Sequence, residues 1–203
     1  MDRLWTPWRY QYITKAAGSS RTGIPAALDA YPHDNGCVFC NLIGAVRWAT
    51  QHGMPQAEAE RAGNILFQAE HCYLCLNAFP YSSGHVLVVP YVHESSLASL
   101  AAPIATEMMH LAQRVETALR LAYRPDGINM GLNLGEAAGA GVAAHLHLHI
   151  LPRWSGDANF MTVVGETRVI PEALETTWER LRQVLDLPSP DSATADISQD
   201  LSS

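Results

Sequence analysis

The chain has 203 residues, with 13 lysines and arginines against 20 aspartates and glutamates, a formal net charge of −7. Only one of those cations is a lysine, Lys15, so nucleic acid is excluded as a partner, whereas a small phosphorylated ligand needs only one arginine or a few backbone N–H groups. No run of about 18 apolar residues offers a membrane span, and the N-terminus lacks the basic-then-apolar order of a signal peptide, so a cytoplasmic, soluble domain with additions is expected.

Residues 1–36 carry Trp5, Trp8, Tyr10 and Tyr12, followed by a Gly/Ser/Pro-containing stretch over 16–36. They read as an aromatic arm, packed on the domain or on a second subunit, with a linker behind it. The main domain is expected over 37–187. Asn35-Gly36 turns the chain, and Cys37-Val38-Phe39-Cys40 forms a knuckle leading into a short helix over 41–45. Residues 46–62 show no clear period and read as a loop with a helical turn at 56–61. Strands are predicted over 64–70, 72–78 and 85–89, with Pro80 and Gly84 bracketing the turn between the last two. Ile104, Met108, Leu111, Val115, Leu119 and Ala122 recur at spacings of three and four. This predicts one long amphipathic helix over 103–123 with Pro103 in its first turn. Arg124-Pro125-Asp126-Gly127 ends it, and strands follow over 128–134 and 145–151. Leu174, Trp178, Leu181 and Leu185 signal a C-terminal helix, and the Ser-, Asp- and Pro-rich residues 188–203 read as a disordered tail. The order of elements predicts an α+β domain, with the long helix against one face of an antiparallel sheet.

Four cysteines form two C-x-x-C pairs. Cys72 and Cys75 fall in a predicted strand, where positions i and i+3 point to opposite faces, so they cannot converge on one ion and read as buried thiols. Cys37 and Cys40, on a knuckle, can converge, but a closed zinc site needs two more ligands. Without them, the pair is two small buried residues.

The glycine-rich run GLNLGEAAGAG, residues 131–141, precedes His145-Leu146-His147-Leu148-His149-Ile150-Leu151. In a strand the three imidazoles share one face and the aliphatic side chains the other. Histidine is neutral and nucleophilic near pH 7, and one ring nitrogen can be oriented through the other. A pair of histidines at i, i+2 also chelates a metal in hydrolases that use a zinc-bound hydroxide, and the triplet alone leaves that reading open. The small residues of the run let backbone N–H groups approach phosphate oxygens, or make a plain hairpin connection.

The segment NMGLNLGEAAGAGVAAHLHLHILPRW, residues 129–154, resembles the signature of the histidine triad (HIT) superfamily, His-φ-His-φ-His-φ-φ with φ apolar, at every core position. LCLNAFPYSSGHVLVVP, residues 74–90, looks like the family's nucleoside-binding strand, turn and following strand. The likeness covers roughly residues 37–171. LWTPWR at 4–9, PRW at 152–154 and GDANF at 156–160 are similar to the bacterial branch that includes diadenosine tetraphosphate phosphorylases.

This resemblance implies a HIT-like antiparallel meander sheet with one long helix and a C-terminal helix, in a homodimer or higher homo-oligomer. It implies His147 as a nucleophile forming a covalent nucleotidyl-imidazole, with one ring nitrogen donating to a backbone carbonyl. His149 is implied as the partner of phosphate oxygens or of a transferred proton, and Asn133 as a bond to a phosphate or to the bound histidine. Asn77 matches the residue used on ribose hydroxyls. Gly139 and Gly141 belong to the phosphate-facing run, Arg153 and Trp154 offer charge and a stacking surface, and Leu66, Phe67 and Leu76 are either walls for the base or ordinary core. A structural zinc is implied on Cys37, Cys40, His93 and His145. One departure is Ala140-Gly141-Val142, where many HIT hydrolases carry Gln and Ser; this removes phosphate donors and counts against a phosphoramidase. Relatives that transfer nucleotides between substrates often have Gln as third triad residue, where this chain has His149. The implied reaction is cleavage of dinucleoside polyphosphates, foremost diadenosine tetraphosphate, with inorganic phosphate as second acceptor, giving ADP and ATP. Hydrolysis of adenylated amines and non-catalytic nucleotide binding are the alternatives.

Overall fold

The computed structural model describes residues 23–157 and 172–185. The aromatics at 5–12, most of the GDANF motif and the tail at 188–203 lie outside the described residues. The strands are β1 (Ile65–Gln68), β2 (Cys72–Leu76), β3 (Val86–Pro90), β4 (Gly127–Leu132) and β5 (Leu148–Arg153). The helices are α1 (Val38–Gln51), α2 (Gln56–Ala62), α3 (Ala102–Tyr123) and α4 (Leu174–Leu185).

The five strands pair antiparallel in the order β1-β2-β3-β5-β4. The first three make a meander. The chain then crosses through α3 and returns as the β4–β5 hairpin, whose second strand docks on β3. Strand alternation splits the core in two. Cys72, Leu74, Leu76, Val86, Val88, Leu146, Leu148 and Ile150 pack with α3 and α4, while Ile65, Tyr73, Cys75, Leu87 and Val89 pack with α1 and α2. The two C-x-x-C cysteines of β2 therefore lie in opposite layers. Because both faces are covered, β2 and β3 read as continuous apolar runs, and each fully buried aliphatic side chain contributes about 1.5–3 kcal/mol.

Helix α3 buries Met108, Leu111, Val115 and Leu119, carries proline in its first turn, and ends on Arg124 in the left-handed region, whose N–H donates to Arg120. Its Glu107 carboxylate accepts from the N–H groups of His71 (2.8 Å) and Cys72 (2.7 Å), setting the helix against the start of β2. Among the described residues no helix is long and apolar enough to cross a membrane.

Two sequence expectations need correction. The helix expected over 41–45 runs from Val38 to Gln51, whereas the helical turn expected at 56–61 is present as α2. The apolar face of α1 is Phe39, Ile43, Val46 and Ala49, and Gly44 lets Tyr31 come close: a Cβ there would meet the Tyr31 hydroxyl at 2.5 Å, so that ring would have to shift. The stretch expected to be a linker is not one over its described part, because Ile24, Leu28 and Tyr31 pack into the α1 layer.

Glu60 of α2 is buried among polar partners: its carboxylate accepts from Gln56 (2.8 Å), Gln68 (3.0 Å) and Arg182 (3.0 Å). Arg182 also donates to the Leu66 carbonyl at 2.7 Å, so one ion pair ties α2, β1 and α4 together. At the opposite end of the sheet, Gly84 turns the chain into β3 with φ of +77°, and a Cβ there would meet Tyr123, Leu119 and Pro152 at 3.0–3.2 Å. The residue after it, His85, is thereby fixed in register.

Candidate active site and metal centre

Strand β5 begins at Leu148, so only His149 of the triad lies within a strand, while His145 and His147 lie on the approach to it. The approach is anchored by the Leu146 N–H on the Glu94 carbonyl at 2.6 Å. Alternation nonetheless holds: Leu146, Leu148 and Ile150 enter the α3 layer, and the imidazoles gather on the other side, with His147 and His149 ring centroids 4.8 Å apart.

Carbonyl oxygens can only accept, which fixes two tautomers. His147 Nδ1–H donates to the His145 carbonyl at 2.8 Å, leaving Nε2 unprotonated. Burial lowers the His147 pKa, opposed by that hydrogen bond, so the ring is neutral near pH 7. His145 Nε2–H donates to the Pro90 carbonyl at 2.9 Å, which directs the Nδ1 lone pair at Cys37 Sγ (3.2 Å) and Cys40 Sγ (3.5 Å).

The ligand atoms of Cys37, Cys40, His93 and His145 all lie within 4.8 Å of one another. Two thiols, two imidazoles and a carbonyl orienting one imidazole from behind fit a closed zinc site. Burial, followed by the neighbouring Cys37, pushes the Cys40 thiol up to about 11, a cost that a bound cation would offset. The knuckle is held by a buried amide: Asn41 accepts from the Asn35 N–H (2.8 Å) and donates to Asp34 (2.7 Å).

Sequence reasoning missed His85. The Tyr81 N–H donates to His85 Nδ1 at 3.1 Å, so the proton of His85 sits on Nε2, which donates to His149 Nδ1 at 3.0 Å. His149 consequently carries its own proton on Nε2. Tyr81 also lies parallel to the His149 ring, 18° between planes and 5.9 Å between centroids. The signal needed was strand pairing: Leu87 sits opposite His149, so His85 shares its face, but the β3–β5 pairing is not readable from one sequence.

Burial, then the neighbouring His149 and His147, pushes the His85 pKa from 6.5 down to about 3. The folded chain therefore refuses a proton that the unfolded chain accepts, and this contribution to stability is full above pH 6.5 and is lost as pH falls towards about 3. His85→Gln is expected to flatten the dependence of Tm on pH over that window, measured by thermal unfolding across a pH series. An unchanged slope would contradict the assignment. Part of the slope persists in the variant because burial also lowers His145 and His147.

The other expected residues are distributed as follows. Asn133 lies one position past β4, and continuing the Gly131↔His149 and Leu132↔Leu148 register sets it opposite His147. Asn77 accepts from the Phe79 N–H at 3.0 Å and approaches His85 Nδ1 at 3.4 Å, so it shapes the turn beside the site. Gly139 takes a left-handed turn, φ 88°, and its N–H donates to the Glu136 carbonyl at 2.9 Å, so that N–H closes the loop instead of facing a phosphate. Gly141 is exposed four residues before His145. Arg153 is clamped by the Asp157 carboxylate (2.6 and 2.7 Å) and by Asn129 (2.8 Å), and Trp154 meets Tyr123 of α3 edge-on. Those contacts lie at the C-terminal end of β5. Leu66 and Leu76 are buried in the α3 layer and Phe67 packs against it, so of the two readings, base wall or core, the structure gives core. For Leu76 strand parity decides this, because only odd-numbered positions of β2 face the histidines, while Leu66 and Phe67 reach the same layer across a register irregularity in β1. Besides Tyr81, the ring that meets the histidines is Phe39, at 4.8 Å from His147.

A model of the HIT domain matches residues 58–156. The AP-4-A phosphorylase of Mycobacterium tuberculosis is 36% identical over 177 residues, which is 87% of this chain and 80% of that protein. An adenylylsulfatase of Arabidopsis thaliana is 28% identical over 142 residues, 70% of this chain and 63% of that protein. Among solved structures, a Zn-bound histidine triad family protein from Mycobacterium smegmatis superposes with a TM-score of 0.55 at 27% identity, covering 80% of this chain and 96% of that one.

Proposed function

The chain belongs to the HIT family, and from that premise we propose that it cleaves dinucleoside polyphosphates through a covalent nucleotidyl-His147, foremost by phosphorolysis of diadenosine tetraphosphate. As a HIT protein it is a nucleotide-processing hydrolase or transferase. The observation that carries the finer reading is the His147 ring, neutral and tied through Nδ1 so that Nε2 is the nucleophilic atom. The similarity to the AP-4-A phosphorylase supports the substrate.

His147 Nε2 attacks the α-phosphorus, the bond from that phosphorus to the bridging oxygen breaks, and ATP departs with a proton from His149 Nε2. Inorganic phosphate then attacks the nucleotidyl-histidine, the P–N bond breaks, and ADP is released. Two displacements allow the second acceptor to be chosen separately from the first. His85 keeps the His149 proton on the nitrogen that donates, and Asn133 binds a phosphate oxygen beside His147. Asn77 takes the ribose hydroxyls, and the turn at Gly139 and Gly141 admits the polyphosphate. Zinc on Cys37, Cys40, His93 and His145 would cross-link the knuckle to the approach to β5, and no chemical step passes through it. Arg153 and Trp154 act at the far end of β5, on the distal part of the substrate.

The working form is a cytoplasmic homodimer. Support comes from β4, a sheet edge with exposed Asn129, Met130 and Gly131, and from exposed Met109 and Leu121 on α3.

Product analysis with diadenosine tetraphosphate, with and without inorganic phosphate, tests the reading. Phosphate-dependent ADP and ATP is the expected result. Phosphate-independent AMP would make water the acceptor, a reading favoured by the adenylylsulfatase relative, and no turnover would contradict both.

A further inference from the structure

We propose that the Cys37–Cys40 knuckle positions the nucleophile: metal bound by Cys37, Cys40, His93 and His145 fixes the Phe39 ring and the His145 carbonyl against His147. The inference rests on the reading of His147 as nucleophile.

Two routes join the metal ligands to that ring. One runs through His145, whose Nδ1 faces both sulfurs while its carbonyl receives the His147 Nδ1–H. Thiols are weak donors, so without a metal the His145 ring is held by one conventional hydrogen bond, to Pro90. The other runs through Phe39, which lies between the two cysteines in sequence. Its ring centroid is 4.8 Å from His147 and 5.5 Å from His145, and its carbonyl accepts from the Tyr73 hydroxyl at 3.0 Å. The fourth ligand closes the frame, since Glu94, the residue after His93, accepts from the Leu146 N–H between His145 and His147. A metal bridging these pieces converts several separately tethered groups into one rigid wall, and small misplacements of a nucleophile are costly.

The test compares full-length protein, zinc-loaded and after removal of metal by a chelator, with Cys40→Ser and Phe39→Leu variants. Zinc content, the NMR signal of the His147 Nδ1–H, and kcat and KM on diadenosine tetraphosphate are measured on each. Loss of metal is expected to expose the Nδ1–H to rapid solvent exchange and to lower kcat about tenfold or more, with KM changed by less than about twofold. Phe39→Leu is expected to retain its zinc, broaden the signal and lower kcat about tenfold, with Phe39→Tyr restoring both. Metal-free protein that stays folded with a sharp Nδ1–H signal and full kcat would overturn the proposal, as would an unaffected Phe39→Leu. Should Cys40→Ser fail to fold, the Phe39 variants decide. Should the zinc-loaded protein turn over no dinucleotide, the reading of the reaction fails separately, and the NMR comparison alone decides the positioning role.

Discussion

His147→Ala is expected to lower kcat on diadenosine tetraphosphate by about 10⁴-fold or more, because a reaction divided into two displacements has no first step without its nucleophile. Binding is expected to survive, since the phosphate and ribose contacts proposed above fall on Asn133, Asn77 and the turn before the triad. His149→Ala is expected to cost less, about 10²- to 10⁴-fold, the usual span for losing a general acid. This ranking separates covalent catalysis from the metal-hydroxide alternative left open by the sequence. In a mononuclear metallohydrolase, His145 and His147 would be equivalent ligands and their alanine variants equally dead. Here their ring nitrogens face different ways: His145 points Nδ1 at the cysteines, and His147 directs Nδ1 to a carbonyl. Steady-state kinetics on the three variants checks the order, and equal losses for His145→Ala and His147→Ala that track zinc content would contradict the covalent reading.

Glu60→Ala is expected to destabilise the fold by about 3 kcal/mol, lowering Tm by roughly 6–12 °C for a chain of this size. Glu60 is 2% exposed and accepts from two amides and a guanidinium, so its removal leaves Arg182, Gln56 and Gln68 without their shared acceptor. Because Arg182 keeps the Leu66 carbonyl and some access to water, the loss belongs near the lower end of the range for a broken buried pair. A Glu60→Met/Arg182→Met double variant is expected to recover part of the loss, since replacing both charges removes the desolvation cost together with the attraction. Chemical denaturation of the two variants beside the unchanged protein measures this. A neutral Glu60→Ala would show that the ion pair does not hold α4 to the sheet.

Much of the fold was legible because it follows local rules. The long helix declares itself through Met108, Leu111, Val115 and Leu119, and Leu174, Trp178, Leu181 and Leu185 mark the last helix. Cys72 and Cys75 fall in opposite layers by strand parity alone. The second half of the first helix is not legible because residues 46–62 show no clear period, and what holds it is the packing of Val46 and Ala49 against the sheet, a tertiary contact. The site divides along the same line. The cluster of Cys37, Cys40, His93 and His145 was inferred from resemblance, and the structure brings the four together. His85 was missed, although it lies inside a quoted motif, because its role depends on β3 pairing with β5 across an intervening helix. Arg153 pairs with Asp157, four residues on, a contact that its position after the triad does not by itself reveal.

The central claim is a covalent bond between His147 and a nucleotide. Protein mixed with diadenosine tetraphosphate in the absence of inorganic phosphate, quenched rapidly and examined by intact mass and peptide mapping, tests it most directly. An adenylyl adduct is expected on the peptide containing His147, carried by that residue, absent from His147→Ala and discharged as ADP when phosphate is added. Turnover proceeding at full rate with no adduct at any quench time, or an adduct on another residue, would contradict it.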